Sequence, residues 1–209
     1  MAAKGYTTPT KVREFLGLSS LVISVDFYIE SAEQIIDQET NRNFAADSAD
    51  VERLFDGDGS NTLLIDDAIS ITKLEIGSDP FGTSFTEIVL GGSNGYVKYP
   101  SNYAEKLVPI TKLILNSESF IRGRQNQKIT AKFGYCAIAN IPADVSFAAT
   151  VIAAGIYNFG NASGGSGDIK SESIGNYSVT YDIGSGGGGK WGDFERAKEI
   201  IKKYRRHFL

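Results

Sequence analysis

Residues Lys170–Ile183 read KSESIGNYSVTYDI. Gly175-Asn176 readily takes the positive φ angles of a tight hairpin turn, and two short strand-forming runs flank it. After the turn, Tyr177, Val179, Tyr181 and Ile183 alternate with Ser178, Thr180 and Asp182. A period of two puts apolar groups on one face of a strand and polar groups on the other. Glycine-rich segments bound the hairpin, GNASGGSG at 160–167 and GSGGGG at 184–189. Two strands alone are marginally stable. A hairpin hung between two glycine arms therefore completes its sheet elsewhere, such as on another copy of the chain.

Working outward, helical patterns lie on both sides. Upstream, Val145, Ala148, Ala149, Ile152, Ala153 and Ile156 form one long apolar side that opens at Pro142 and ends by Gly160. Downstream, Phe194, Ala197, Ile201, Tyr204 and Phe208 follow three- and four-residue steps and predict a helix over 192–208. Lys198, Lys202, Lys203, Arg205 and Arg206 cover its other faces and suit the negative end of the helix dipole. At the N-terminus, Thr8 reads as an N-cap, Pro9 as the first helical residue and Gly17 as the stop, with Val12, Phe15 and Leu16 on one face. A second helix starts after Ser24 and fades near 41–44. Ile29, Ala32, Ile35 and Ile36 form its stripe, and Glu30, Glu33, Gln34 and Asp37 its wet side.

Between these helical portions the character changes. Glu52–Phe55, Thr62–Ile65, Ile69–Ile76, Phe85–Leu90, Tyr96–Tyr99, Leu107–Leu115 and Lys128–Tyr135 favour strands. Turn compositions such as DGDGSN and GGSNG separate them. Six or seven short strands predict a small antiparallel sandwich or barrel. The fold class is thus α+β. Two N-terminal helices, one long central helix and one C-terminal helix form a bundle, with an inserted β sandwich or barrel and a β-hairpin arm. The expected domains are 1–46 with 142–209 (hairpin arm 169–183), and a β-rich insertion over 47–141.

The chain has 209 residues and a net charge of −4, which gives no general affinity for nucleic acid. The charge is unevenly spread. Residues 190–209 hold seven Lys/Arg and three Asp/Glu, leaving 14 of the 21 Lys/Arg and 22 of the 25 Asp/Glu elsewhere. A +4 tail on a −8 body fits an acidic partner surface, or a helix with one solvated basic face. Cys136 is the single cysteine, so no internal disulfide forms. The N-terminal stretch lacks the apolar core of a signal peptide. The most apolar window, 147–159, falls short of the roughly 20 residues a membrane span needs. The expectation is a soluble protein made inside the cell.

Motifs for chemistry fail on inspection. Gly184–Trp191, GSGGGGKW, matches a phosphate-binding loop up to Lys190, but Trp191 stands where Ser or Thr would hold Mg²⁺. No alternating strand–helix pattern supplies the parallel sheet such loops use. Asp56–Ser60 invites a calcium reading, but the sixth and twelfth positions are Asn61 and Asp67 where Gly and Glu are required. A hairpin turn is the simpler reading. His207 has no second His or Cys nearby for a metal, and neither it nor Cys136 forms a nucleophile–base pair. Neighbouring Asp66-Asp67 point to opposite strand faces. The sequence predicts no enzyme, no cofactor and no metal site.

Several signatures, in order, resemble the head–tail connector (adaptor) proteins of tailed bacteriophages. They are Ile36, Thr40, Arg42 and Phe44 at the end of the second helix, and Leu54-Phe55-Asp56-Gly57. Phe133-Gly134-Tyr135 follows, then Ile141-Pro142-Ala143-Asp144-Val145. The closing pair is Lys170–Val179 and a basic tail with Tyr204-Arg205-Arg206. The β insertion is longer than in the minimal, mostly helical members. The resemblance implies a homo-oligomeric ring, commonly of twelve copies, in the virion neck. It docks beneath the portal protein, extends the DNA channel and presents a platform to the next tail or stopper protein. It implies a non-enzymatic protein made in the host cytoplasm, with DNA passing without sequence-specific contact and no membrane partner. Trp191, Phe194, Tyr204, Arg205, Arg206 and Phe208 are the expected portal-docking residues, since aromatic and Arg side chains concentrate interface energy. Ile174, Tyr177, Val179 and Tyr181 of the hairpin are the expected inter-subunit contacts. A tail-terminus or tail-completion ring is one alternative. A ligand-binding β module and a nucleotide hydrolase using Lys190 are the others.

Overall fold

The computed structural model describes residues 3–20, 24–161, 169–174, 177–182 and 188–206, with the backbone alone at 159–161, 169–174, 177–182 and 188–191. Its elements run α1 (Pro9–Leu16), α2 (Asp26–Thr40), β1 (Val51–Gly57), β2 (Thr62–Gly77), β3 (Phe85–Ile88) and β4 (Tyr96–Tyr99). There follow α3 (Tyr103–Lys106), β5 (Ile110–Leu115), β6 (Gly123–Phe133), α4 (Ala143–Asn161), β7 (Ile169–Ile174), β8 (Tyr177–Asp182) and α5 (Gly188–Tyr204). The fold is α+β. It divides into two compact units, Met1–Arg42 with Ile138–Leu209, and Asn43–Ala137.

In the helical unit, local chemistry sets the helix ends. Thr8 is extended and its Oγ1 accepts the Lys11 N–H, Pro9 needs no N–H donor at the first position, and Gly17 closes α1 at φ 71°. Asn41 closes α2 in the left-handed region at φ 52°, which Asn tolerates better than most residues. Helices α1, α2 and α5 pack around α4. Val145, Ala148, Ala149, Val151, Ile152, Ala153 and Ala154 are all buried, so α4 is covered on nearly all sides. Its alanines let the neighbours approach closely. From α5, Phe194, Ala197, Ile200 and Ile201 complete this core. Helix α5 begins a turn earlier than its apolar steps predict and stops at Tyr204.

One expectation for α2 fails. Glu33 is not on a wet side but only 2% exposed. Its carboxylate accepts the backbone N–H groups of Lys4 (2.6 Å) and Tyr6 (2.8 Å). One turn on, Asp37 accepts the Tyr6 hydroxyl at 2.6 Å and the Lys4 ammonium. Thr7 is fastened to Thr150 of α4, hydroxyl to hydroxyl, at 2.6 Å. Residues 4–7 thus form a strap tied to α2 and α4. Burial pushes both carboxyls above their ordinary range, against the opposing pull of these hydrogen bonds.

The β unit is one six-stranded antiparallel sheet in the order β1-β6-β2-β5-β4, with β3 on the end of β2. Thr62–Ile65 and Ile69–Ile76 are not two strands but parts of the single strand β2, which runs through Asp66-Asp67. Its first half pairs with β5 and its second with β6, with register shifts at 64–68, 68–70 and 71–73. Such bulges bend a strand and increase its twist. The bend wraps the sheet round an apolar cluster that includes Leu63, Ile65, Leu74, Ile110, Leu113, Phe120, Ile129 and Phe133. Past β3, Leu90 makes an isolated bridge to Tyr96 at the start of β4. The DGDGSN segment is not a hairpin turn, because β6 lies between β1 and β2.

Strands β7 and β8 pair antiparallel from Ile169↔Asp182 to Ile174↔Tyr177, and β8 runs beside α4. The Gly175-Asn176 turn, the glycine segments at 162–168 and 184–187, His207 and Phe208 lie outside the described residues.

Candidate interaction surfaces

Among the described residues no group of three or more metal-capable side chains comes together. No helix among them is long and apolar enough to cross a membrane. Cys136 is buried, and loss of solvent pushes its thiol up to about 11. At that value the nucleophilic thiolate is scarce near neutrality.

The surface that the sequence singles out is the end of α5. Its last turn lies against the C-terminal end of α2 and the start of α4. Arg42 Nε donates to the Tyr204 carbonyl at 2.7 Å, the Arg206 N–H donates to the Thr40 carbonyl at 2.8 Å, and Asn41 donates to the Arg206 carbonyl. Thr40 is fully buried, its hydroxyl returned to the Ile36 carbonyl. The Ile36, Thr40 and Arg42 signature is therefore a clasp for the carbonyl end of α5. It satisfies groups that every helix end leaves open. Asp144 adds a side-chain tie, accepting from the Tyr204 hydroxyl at 3.0 Å and the Lys203 ammonium at 3.0 Å. Burial raises the Asp144 carboxyl, but these donors outweigh it and hold it below the usual aspartate range. Phe44 and Tyr135, both of the β unit, meet as a tilted ring pair with centroids 5.2 Å apart.

The expected docking residues occupy different settings. Arg205 is exposed and Arg206 half-buried. Tyr204 is half-buried with its hydroxyl on Asp144. Phe194 is 3% exposed within the single chain. For Trp191 only the backbone is described, in the first turns of α5, and Phe208 lies outside the described residues. Ile174, Tyr177, Val179 and Tyr181 are placed by backbone register, Ile174 opposite Tyr177 at the turn end of the hairpin. Lys190 lies in the first turn of α5, with its side chain not described.

Sequence reading missed the exposed apolar residues elsewhere. Phe27 and Phe81 are exposed, with Val89, Leu90 and Leu107 of the β unit. The available signal was an aromatic residue inside a turn composition, Asp79-Pro80-Phe81-Gly82, where nothing in the local pattern covers it.

Two solved chains superpose on this one along its whole length. One is from the neck of an empty GTA particle computed with C6 symmetry, at 14% identity and a TM-score of 0.56. The other is from the neck of a native GTA particle computed with C12 symmetry, at 12% identity and a TM-score of 0.55. Each match covers 100% of this chain and 94% of the other. At these identities the likeness is one of fold. No family model and no curated protein matches the chain.

Proposed function

We propose that this protein is a structural component of a virion neck. It forms a ring of copies, an adaptor that docks beneath a portal, continues the DNA channel and offers a platform for tail attachment. The observation that carries the reading is the end-to-end likeness of fold, insertion included, to chains of particle necks computed with six- and twelve-fold symmetry. The basic end of α5 supports it. Arg205 is exposed, and so are Lys202 and Lys203, a set of cations suited to an acidic partner. The clasp formed by Thr40, Asn41 and Arg42 holds this end in place before any partner arrives, which lowers the ordering cost of binding. The hairpin β7–β8, between its glycine segments, supplies the contact between copies.

Deletion of 190–209 is a poor test, since it strips Phe194, Ala197, Ile200 and Ile201 from the core. Charge reversal at Lys202 and Arg205 leaves the core alone. Mixed with purified portal protein, wild type is expected to form a complex visible as a ring by electron microscopy. The Lys202→Glu/Arg205→Glu chain is expected to bind at least tenfold more weakly, with the loss steepest at low salt. Equal capture of both chains refutes the docking surface, and no capture of wild type refutes the neck reading.

A further inference from the structure

We propose that the two ends of the β-unit sheet meet between copies of this chain, the acidic edge at β1 of one copy against the basic edge at β4 of the next. The proposal rests on the ring reading above and adds a second contact to that of the hairpin. The strand order leaves β1 with β6 on one side and no strand on the other among the described residues. Strand β4 is bonded at Tyr96 to the backbone of Val89 and Gly91, and the rest of it pairs with β5 alone. Sheet edges of this kind present open backbone N–H and carbonyl groups to an arriving strand. The β1 edge is acidic. Asp50, Glu52, Leu54 and Asp56 recur at every second position and all are exposed, Leu54 to 48%. None of the three carboxylates forms an ion pair among the described residues. Asp50 accepts the Thr72 hydroxyl at 2.6 Å and Asp56 the Gln125 N–H at 2.7 Å. Lys128, opposite Leu54, is committed to Glu75 at 3.1 Å. Lys132 of β6 offsets part of the charge, and Arg122 and Arg124 sit at the far end, where Gly57 pairs with Gly123.

The β4 edge is basic. Lys112 of β5 lies opposite Tyr99 of β4, its ammonium 4.1 Å from the ring centroid. Lys106 is exposed at the end of α3, next to Leu107, which is 70% exposed. Leu107 closes α3 in the left-handed region at φ 52°. A leucine takes that conformation against its own preference, so the surrounding structure fixes it there. Neither lysine forms an ion pair among the described residues, and Glu105 is the single carboxylate of α3. Charge then selects which edges meet. Two β1 edges across a two-fold axis set carboxylates against carboxylates, and two β4 edges set lysines against lysines. Both arrangements are disfavoured by like-charge repulsion. Unlike edges satisfy both sets of charges, with Leu54 on one side and Tyr99 and Leu107 on the other as the apolar groups covered between them. A contact between two different edges passes from copy to copy and closes into a ring.

The test reverses one edge at a time in the full-length chain, Asp50→Lys/Glu52→Lys at β1 and Lys106→Glu/Lys112→Glu at the β4 edge. Circular dichroism checks folding and sedimentation velocity is the readout. Wild type is expected to assemble with rising concentration, and to need about tenfold more protein when salt rises from about 0.05 M to about 0.5 M. That arm needs no substitution. Each reversed variant alone carries two edges of one sign and is expected to need about tenfold more protein than wild type at low salt. In an equimolar mixture every reversed edge finds an opposite one, so assembly is expected to return with the two variants alternating. A chain that fails to fold cannot be rescued in this way. Four results overturn the contact: variants that assemble like wild type, a mixture no better than either variant, assembly indifferent to salt, or wild type that is monomeric throughout. Portal capture of wild type, measured as above, judges the neck reading separately. Wild type that is captured by portal while its rings ignore both reversals refutes this contact alone.

Discussion

Replacing Glu33 with alanine tests the strap of residues 4–7 most directly. The carboxylate is 2% exposed and receives two backbone N–H groups, at 2.6 and 2.8 Å. A hydrogen bond to a charged group contributes about 1.5–3 kcal/mol net, and two are lost. Removing a carboxylate that burial disfavours returns part of that. The expected cost at pH 7 is about 2–4 kcal/mol in urea denaturation followed by circular dichroism. The pH dependence is the sharper part. Burial raises the Glu33 carboxyl above 4.5 in the folded protein, so the folded state holds its proton more tightly than the unfolded one. The stability Glu33 contributes is then fully present below its unfolded value and declines as pH rises through its folded value. The penalty for Glu33→Ala should therefore be larger at pH 4 than at pH 7. Glu33→Gln keeps one acceptor and no titration, so about half the cost is expected. A penalty below about 1 kcal/mol, or one that shrinks on acidification, refutes the account of the strap.

Asp144→Asn has the opposite pH signature. Its folded carboxyl sits below the ordinary aspartate value, so its contribution is present above that ordinary value and lost as pH falls through the folded one. Because Lys203 is largely exposed, the cost is expected to be about 1 kcal/mol, mostly the Tyr204 hydroxyl bond. Gly123→Ala forces the Pro80 oxygen away from a position 2.2 Å from the new methyl, and overpacking of this order costs about 1–3 kcal/mol, read as a lower urea midpoint. Cys136 should react with a thiol-specific chromogenic reagent at pH 8 far more slowly than free cysteine, and rapidly once urea unfolds the chain. Immediate reaction in the native protein contradicts its burial.

What could be seen in the sequence depended on how far away each residue's partner lies. The ends of α1 were legible because Thr8, Pro9 and Gly17 act within one turn. The apolar side of α4 was legible because its period is local. Strand β2 was misjudged at Asp66-Asp67, which resembles a turn until the rest of the sheet is present. Arg53 on β1 answers Asp66 at 2.8 Å, and the Gly134 N–H donates to the Asp67 carbonyl at 2.7 Å. Glu33 was misjudged for the same reason, its partners lying 27 and 29 residues upstream. Helix α3 has no side-chain cap and a single turn, so no local signal announced it. Of the candidate interface, the aromatic and basic composition of α5 was visible, but not that Phe194 turns into the core. Exposure of Phe81 follows from the loop's fastening to β6, which no spacing encodes.

The two ends of the β unit also carry a consequence for how such a chain is built. Ala45 bridges to Cys136, and the Tyr135 and Cys136 N–H groups donate to the Asn43 and Phe44 carbonyls at 2.8 and 3.1 Å. Departure and return of the polypeptide are thereby zipped side by side. A segment with adjoining ends can be spliced out as a cassette, because the host framework needs only a short tie to heal the gap. Replacing the segment between residues 43 and 137 through that one seam is expected to leave each helix around α4 with its own residues intact.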